Sequence, residues 1–250
     1  MIEPRALVAY CDRFLDASSF SDYAPNGLQV EGERPIRRLV SGVTASAALI
    51  ESAIVEEADA ILVHHGWFWK GESPCLVGMK GQRARMILRA GMSLIAYHLP
   101  LDAHPEVGNN ALLARRLGFI GAEPSALGHG LLWVARLQEP VAPDDFAALV
   151  AKALGRAPLL VGCMPRRIGR VAWCTGGGQG HIEQAAELGV DAFLSGEISE
   201  QTTHQARELG LCFVAAGHHA TERYGVQALG EHLSENFGLR HRFVDIENPA

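Results

Sequence analysis

The sequence predicts an α/β protein of two related lobes that arose by internal duplication, and three observations point there. Short aliphatic and β-branched runs alternate with stretches of helical periodicity, the pattern of parallel strands joined by helices. The alternation returns about 130 residues further on, with "VDAFLSGE" lying over "ADAILVHH" so that Asp191 matches Asp59. The histidines and carboxylates collect where strands end, which is where ligands gather in parallel sheets.

Taken in order, the opening "MIEPRALVAYCDRFLDASSF" reads as an amphipathic helix. The stretch "RRLVSGVTASAALIESAIVEEADAILVHHG" reads as strand, helix, strand: residues 39–43 are β-rich, 45–57 carry apolar residues at helical spacing, and 60–63 are β-rich again. "ARMILRAGMSLIAYHLPLDAH" supplies a helix ending in Gly, a third strand and a polar loop. "GLLWVARLQEPVAPDDFAALVAKALGRAPLLVG" predicts a strand, a turn at residues 140–144, a helix opened by Asp144 and another strand, and it begins the second lobe. A second βαβ unit, "GRVAWCTGGGQGHIEQAAELGVDAFLSGE", is followed by "THQARELGLCFVAAGHHATE", again helix, Gly, strand and polar loop. Four successive matches in one order predict duplication rather than coincidence. The expected lobes are residues 1–127 and 128–250, interlocked.

With 48% apolar and 20% charged residues over 250 positions, the chain can bury a substantial core and has no tract that reads as a disordered linker. No apolar run approaches the ~18–20 residues that span a bilayer, and the N-terminus lacks a basic n-region and a cleavage site, so a cytoplasmic protein without membrane contact is expected. A net charge of −6 gives no general attraction to nucleic acid, which is therefore not an expected partner. The basic cluster Arg166, Arg167 and Arg170 reads as a solvated turn ahead of a strand. The five cysteines, Cys11, Cys75, Cys163, Cys174 and Cys212, are odd in number and free of any C-x-x-C pair. Reduced thiols are expected rather than a disulfide framework or a zinc ribbon.

His64 and His65 end one predicted strand, His98 and Asp102 follow another, Glu197 ends a third, and His218, His219 and Glu222 follow a fourth. If the sheets close on one crevice between the lobes, these side chains form the N/O donor set of a divalent transition-metal site. Glu222 lies four residues after His218 and three after His219, so either imidazole can share its helical face. A lone buried histidine is more often hydrogen-bonded than metal-bound, but an adjacent pair at a strand end, together with His218 and Glu222, favours metal. His64, His65, Asp102, His218 and Glu222 suffice for two ions, with positions left open for water. His98 and His104 read as neighbours of Asp102 that support the ligands, and His129, His181, His204, His232 and His241 as solvated. Gly176 to Gly178 form either an anion cradle or a tight strand-to-helix turn. Trp67, Phe68 and Trp69 either pack or stack on a base, and packing is the favoured reading.

Six ordered stretches over nearly the whole chain resemble the Nif-three-like family, the dinuclear-metal-centre hexameric proteins labelled GTP cyclohydrolase 1 type 2 homologues. They are "SDYAPNGLQVEG" (residues 21–32), "ILVHHGWFW" (61–69), "YHLPLDAHPEVGNN" (97–110), "TGGGQ" (175–179), "SGEISEQTTHQARELG" (195–210) and "AAGHHATERYG" (215–225). The resemblance implies the Nif-three-like fold with a metal site in the crevice between lobes, and without the inserted central domain of longer members. It implies two divalent metal ions per chain, Fe, Zn, Mn or Ni, on His64, His65, Asp102, His218 and Glu222. It also selects His218 over His219, because the commoner form of the family has Tyr at the second position. A toroidal homohexamer, a trimer of dimers, is implied as well. The chain departs from many members in reading "SGEISEQ" where they carry an Asp, then a Lys and a His.

Two function classes follow. One is a dinuclear-metal-dependent hydrolase of a nucleotide-like substrate, GTP ring opening at C8 being one candidate: metal lowers the pKa of a water toward ~7, and Glu197 or His98 relays protons. The other is a non-catalytic metal-binding hexamer, a scaffold or regulator that associates with single-stranded nucleic acid through an arginine-lined lumen.

Overall fold

The structure, a computed structural model, describes residues 1–163 and 167–250; Arg166 of the predicted basic turn lies outside the described residues. In chain order the elements are α1 (Pro4–Phe14), β1 (Gly27–Val30), β2 (Arg38–Thr44), α2 (Ala47–Val55), β3 (Ala60–His65), α3 (Gly78–Ala90), β4 (Ser93–Ala96), α4 (Leu99–Ala103), α5 (Asn109–Leu117), β5 (Ile120–Pro124), β6 (Trp133–Val141), α6 (Pro143–Leu154), β7 (Leu159–Val161), β8 (Ile168–Cys174), α7 (Ile182–Glu187), β9 (Ala192–Ser195), α8 (Glu200–Leu209), β10 (Cys212–Ala215), α9 (His218–Phe237) and β11 (Arg240–Phe243). The class is α/β, as the alternating pattern predicts. Among the described residues no helix is long and apolar enough to cross a membrane.

The chain divides into two compact units, Met1–Leu101 with Gly225–Glu247, and Asp102–Tyr224 with Asn248–Ala250. This differs from a cut at 127/128 for two physical reasons. Ala111, Leu113 and Leu117 of α5 belong to the apolar core of the second unit, and β11 returns to pair in parallel with β2 of the first. A repeat match aligns equivalent elements, but it carries no information about a strand that comes back.

In the first unit the sheet order is β1-β4-β3-β2-β11, with β4, β3, β2 and β11 parallel and β1 antiparallel at the edge. Every residue of β3 is buried, as expected of a central parallel strand covered on both faces. Its Ile61 and Val63 join Val40 and Leu94 from neighbouring strands, Leu49 and Ile50 from α2, Ile87 from α3, and Trp67 in one apolar cluster. Trp67 is therefore a packing residue. Ser46 starts α2 by accepting a hydrogen bond from Leu49 N at 3.3 Å.

In the second unit the order is β5-β6-β8-β9-β10-β7, with β8, β9 and β10 parallel and antiparallel strands on both sides. Phe146 of α6, Trp173, Leu194 and Val214 pack together on one side, and Phe193, Phe213, Ile182 and Ala206 in a second cluster. The helix expected to open at Asp144 opens at Pro143, where the missing N–H has no intrahelical partner to lose; Asp144 and Asp145 occupy the first turn, favourable against the helix dipole.

The two units repeat one motif: α1-β1-β2-α2-β3-α3-β4 in the first and α6-β7-β8-α7-β9-α8-β10 in the second, each with its earliest strand antiparallel beside the last. The matched aspartates do the same work. Asp59 Oδ2 accepts from Arg37 N at 2.9 Å and Arg38 N at 3.0 Å, while Asp191 Oδ2 accepts from Gly169 N at 3.0 Å and Arg170 N at 2.9 Å. Each ties the amino end of one parallel strand to its neighbour.

The expectation of five reduced thiols is corrected. Cys163 and Cys212 form a disulfide across 49 residues, while Cys11, Cys75 and Cys174 are free. The antiparallel register of β7 with β10, Phe213 opposite Val161, brings the two Cα atoms to 4.1 Å. Tertiary register creates that pairing, so the sequence spacing does not betray it.

If the aspartate clamp sets the strand ends, Asp191→Ala should lower stability by about 1–3 kcal/mol, the cost of leaving backbone donors unmet, and Asp191→Asn should lose less. Urea unfolding midpoints test this; an Ala variant with the wild-type midpoint would rule the clamp out.

Candidate metal centre

In the first unit β3 delivers His64 and His65 at its carboxyl end, and the chain leaving β4 delivers His98. His64 is fully buried, with Nδ1 2.9 Å from Tyr97 O. His65 Nδ1 lies 3.4 Å from Thr44 Oγ1, and His98 Nδ1 lies 3.0 Å from both carboxylate oxygens of Asp22. One ring nitrogen from each imidazole lies within 4.8 Å of the other two, a group able to hold a metal ion. The Nδ1 of each ring is thus engaged by an oxygen.

Asp22 anchors this corner. Besides His98 it accepts from Ala24 N at 3.0 Å, Leu99 N at 3.1 Å and Asn26 Nδ2 at 3.1 Å, while Asn26 Oδ1 accepts from His98 N at 2.7 Å. Burial pushes the Asp22 carboxyl upward, but the His98, Ala24 and Asn26 donors outweigh it and hold the pKa at about 2. Gln29 fixes the turn after His65: its Oε1 accepts from Trp67 N at 2.9 Å and its Nε2 donates to Pro25 O at 2.9 Å. A Cβ on Gly66 would collide with the Gln29 amide, which explains glycine there. Trp67 Nε1 donates to Ala45 O, and the Trp69 ring lies 4.7 Å from that of His65.

In the second unit Asp102, Glu222, His218 and Glu197 come from α4, the first turn of α9 and the end of β9. Asp102 is 5% exposed, and its Oδ1 accepts from Asn109 Nδ2 at 2.8 Å and Thr175 Oγ1 at 3.3 Å. Glu222 is 2% exposed, and its Oε2 lies 2.9 Å from His218 Nε2. The i, i+4 pair thus forms with His218, the choice the resemblance implies. His218 Nδ1 lies 2.7 Å from Glu197 Oε1, and Gln179 Nε2 donates to Glu197 Oε2 at 3.3 Å. Burial lowers the His218 pKa, but the hydrogen bonds and charges of Glu222 and Glu197 win and lift it to about 9. Burial, with the charges of Asp102 and Glu222, pushes the Cys174 thiol well above its usual range.

The glycine-rich loop serves this cluster. Gly176 has φ +63°, and a Cβ there would overlap the Glu222 carboxylate, so only glycine lets that side chain lie against the loop. Gly176 N donates to Thr221 Oγ1 at 3.0 Å, and Gly176 O accepts from Gly196 N at 2.9 Å and Glu197 N at 3.1 Å. These bonds hold the ends of β8 and β9 and the start of α9 together.

Sequence reasoning singles out the histidines and carboxylates but not the residues that hold them. Asp22, Asn26, Gln29, Asn109 and Asn110 all sit inside the motifs of the resemblance, yet only the folded chain shows their roles. Asn110 Oδ1 accepts from Thr175 N at 3.2 Å and its Nδ2 donates to Asp102 O at 3.2 Å. Three histidines expected to be solvated are part-buried and hydrogen-bonded, the first being His181, whose Nδ1 lies 2.5 Å from Gln184 Oε1. His232 Nε2 lies 2.6 Å from Tyr10 Oη, with its ring 4.1 Å from that of Phe14. His241 Nε2 lies 2.7 Å from Ser41 Oγ, and burial lowers its pKa. His232 and His241 are drawn in because the C-terminal segment packs into the first unit. His129 and His204 are exposed.

Fold and donors define a two-unit α/β protein whose strand ends carry groups able to hold a metal ion. The chain belongs to the Duf34/NIF3 (NGG1p interacting factor 3) family, whose profile matches residues 2–249. It is 73% identical over 250 residues to a GTP cyclohydrolase 1 type 2 homolog of Allochromatium vinosum, covering 100% of this chain and 98% of that one. A protein of the same description from Pseudomonas aeruginosa is 58% identical, covering 98% of this chain and 97% of the relative. Among solved structures, protein ybgI, described as of unknown function, superposes with a TM-score of 0.94 at 50% identity over 100% of both chains.

Because the folded pKa of Asp22 lies below the ordinary ~3.9, its contribution to stability is present above about pH 4 and is lost as pH falls through about 2. Asp22→Asn should cost about 2–3 kcal/mol at neutral pH and flatten the acid limb of the stability profile. Denaturant midpoints measured between pH 7 and 2 decide it; parallel profiles for the two proteins would rule this role out.

Proposed function

We propose that the chain is a dinuclear-metal-dependent hydrolase of a nucleotide-like substrate, with His64, His65, Asp102, His218 and Glu222 as ligands of two divalent ions and Glu222 as the bridge. The observation that carries this reading is how the donors are held. His64, His65 and His218 each engage Nδ1 with a carbonyl, hydroxyl or carboxylate oxygen, as metal-ligating histidines do. Asp102 and Glu222 are buried carboxylates, whose desolvation a cation would offset.

The mixed N/O donor set suits Fe, Zn, Mn or Ni. When bound, such ions supply an activated water and polarise the attacked centre. The chain's own groups orient the donors, and His98, fixed by Asp22 beside His64 and His65, is placed to relay a proton. The description shared by the relatives supports GTP as a candidate substrate. On this reading the working form is a cytoplasmic homohexamer, a trimer of dimers.

Protein purified without chelator should carry about two metal equivalents per chain by elemental analysis. His64→Ala or His218→Ala should lower occupancy while circular dichroism stays unchanged, because open sites at strand ends are built on a preformed scaffold. Glu222→Gln should lose one or both ions, and turnover on a panel of nucleotides and phosphoesters with them. Two fully occupied sites at unchanged separation in that variant would transfer the bridge to Asp102. Metal binding by wild type without turnover on any panel member would favour the non-catalytic assembly.

A further inference from the structure

His218 is held from both sides. Nε2 lies 2.9 Å from Glu222 Oε2, Nδ1 lies 2.7 Å from Glu197 Oε1, and Gln179 Nε2 reaches the other Glu197 oxygen at 3.3 Å. Glu197 is itself fixed through its backbone, which donates to Gly176 O at 3.1 Å. A Cβ on Gly177 would lie 3.8 Å from Glu197 Oε2 and 3.9 Å from His218 Cε1, so the glycine loop packs against the pair.

We propose that Glu197 is a positioning residue: it takes the Nδ1–H of His218 and thereby presents Nε2, beside Glu222, as the donor atom. The inference rests on the two-ion reading above. The two nitrogens lie on different edges of the imidazole, so a carboxylate on Nδ1 settles which nitrogen is left to ligate and in which direction its lone pair points. His218 Nε2 and Glu222 Oε2 lie 2.9 Å apart, so the two groups that would hold a cation are already side by side. A carboxylate on the remaining N–H also raises the basicity of the ligating nitrogen. Glu197 sits across the ring from Glu222, where it supports the imidazole. That is a different task from the proton relay expected of it.

The other repeat shares the spacing and the carboxylate on Nδ1. After β4 comes His98 with Asp102 four residues on; after β10 comes His218 with Glu222 four residues on. His98 also has a carboxylate on Nδ1, supplied by Asp22 from the segment before β1. The two carboxylates come from non-equivalent segments and meet the same ring atom, so the contact was not copied with the repeat.

The test uses the full chain and Co(II) as the probe. Glu197→Ala should weaken Co(II) binding about 10–100-fold in chelator competition, and Glu197→Gln, whose amide oxygen still accepts the Nδ1–H, should recover part of that loss. Gln179→Ala should cost less than either. Unfolding of the metal-free variants should match wild type, because the Glu197 side chain is 46% exposed. In metal-free protein labelled with 15N-histidine, the Nδ1–H signal of His218 should shift in Glu197→Ala and persist in Glu197→Gln. Wild-type Co(II) affinity in the Ala variant, or a Gln variant no better than Ala, would overturn the inference. Failure of wild type to bind Co(II) would instead overturn the two-ion reading, and the positioning contact would then stand or fall on the His218 Nδ1–H signal.

Discussion

A buried imidazole or carboxylate is tolerated only when its polar atoms are met, and the ends of these parallel strands are organised around that requirement. His64, Asp102 and Glu222 are all at or below 5% exposure. Their surroundings are correspondingly polar and specific: the carbonyl of Tyr97 on His64, the Asn109 amide and Thr175 hydroxyl on Asp102, and His218 on Glu222. Replacing Asn109, Thr175 or His218 with an apolar residue of similar volume would take a polar contact from a desolvated carboxylate, at a cost that exceeds that of an ordinary surface hydrogen bond. The holding groups are therefore as constrained as the groups they hold.

Strand register delivers those groups. Side chains alternate along a strand, so a slip of one residue would send His64 and His65 to opposite faces from those they occupy. Thr44 lies opposite His65 in the β2–β3 register, which is why its hydroxyl is there to meet the ring. In the second unit Cys174 lies opposite Ser195, so the loops that follow, with Gly176 and Glu197, leave the sheet side by side. Asp59 and Asp191 tie the far ends of the same strand pairs. Each unit thus fixes a polar end with a carboxylate clamp at the opposite end.

Much of this was legible in the sequence because it follows from periodicity. The βαβ order, the burial of β3 and the duplication with its paired aspartates all depend on local pattern, whereas helical spacing left His218 and His219 both open to Glu222 and only the resemblance chose between them. What could not be read depends on contacts distant in the chain. Asp22 meets His98 across 76 residues, Cys163 meets Cys212 across 49, and His241 meets Ser41 across 200. The solvated reading of His232 and His241 failed for that reason, since a polar residue on a terminal helix or strand gives no sign that the segment returns to an earlier sheet.

The glycine-rich loop shows how the same motif changes meaning once its neighbours are known. Read alone, "TGGGQG" permits a phosphate cradle, whose binding power comes from backbone N–H groups aimed at the anion. Here the amide of Gly176 is already donated to Thr221 Oγ1, and the absence of a side chain at Gly176 is what admits the Glu222 carboxylate. A carboxylate packed against a loop also repels a second anion. Gly176 is thus accounted for by crowding around Glu222, and Gly178 by crowding against Cys174, without invoking a phosphate. On the hydrolase reading, the phosphates of a nucleotide would then be neutralised by the bound cations, so substrate affinity and metal occupancy would be coupled and removal of Glu222 would weaken both.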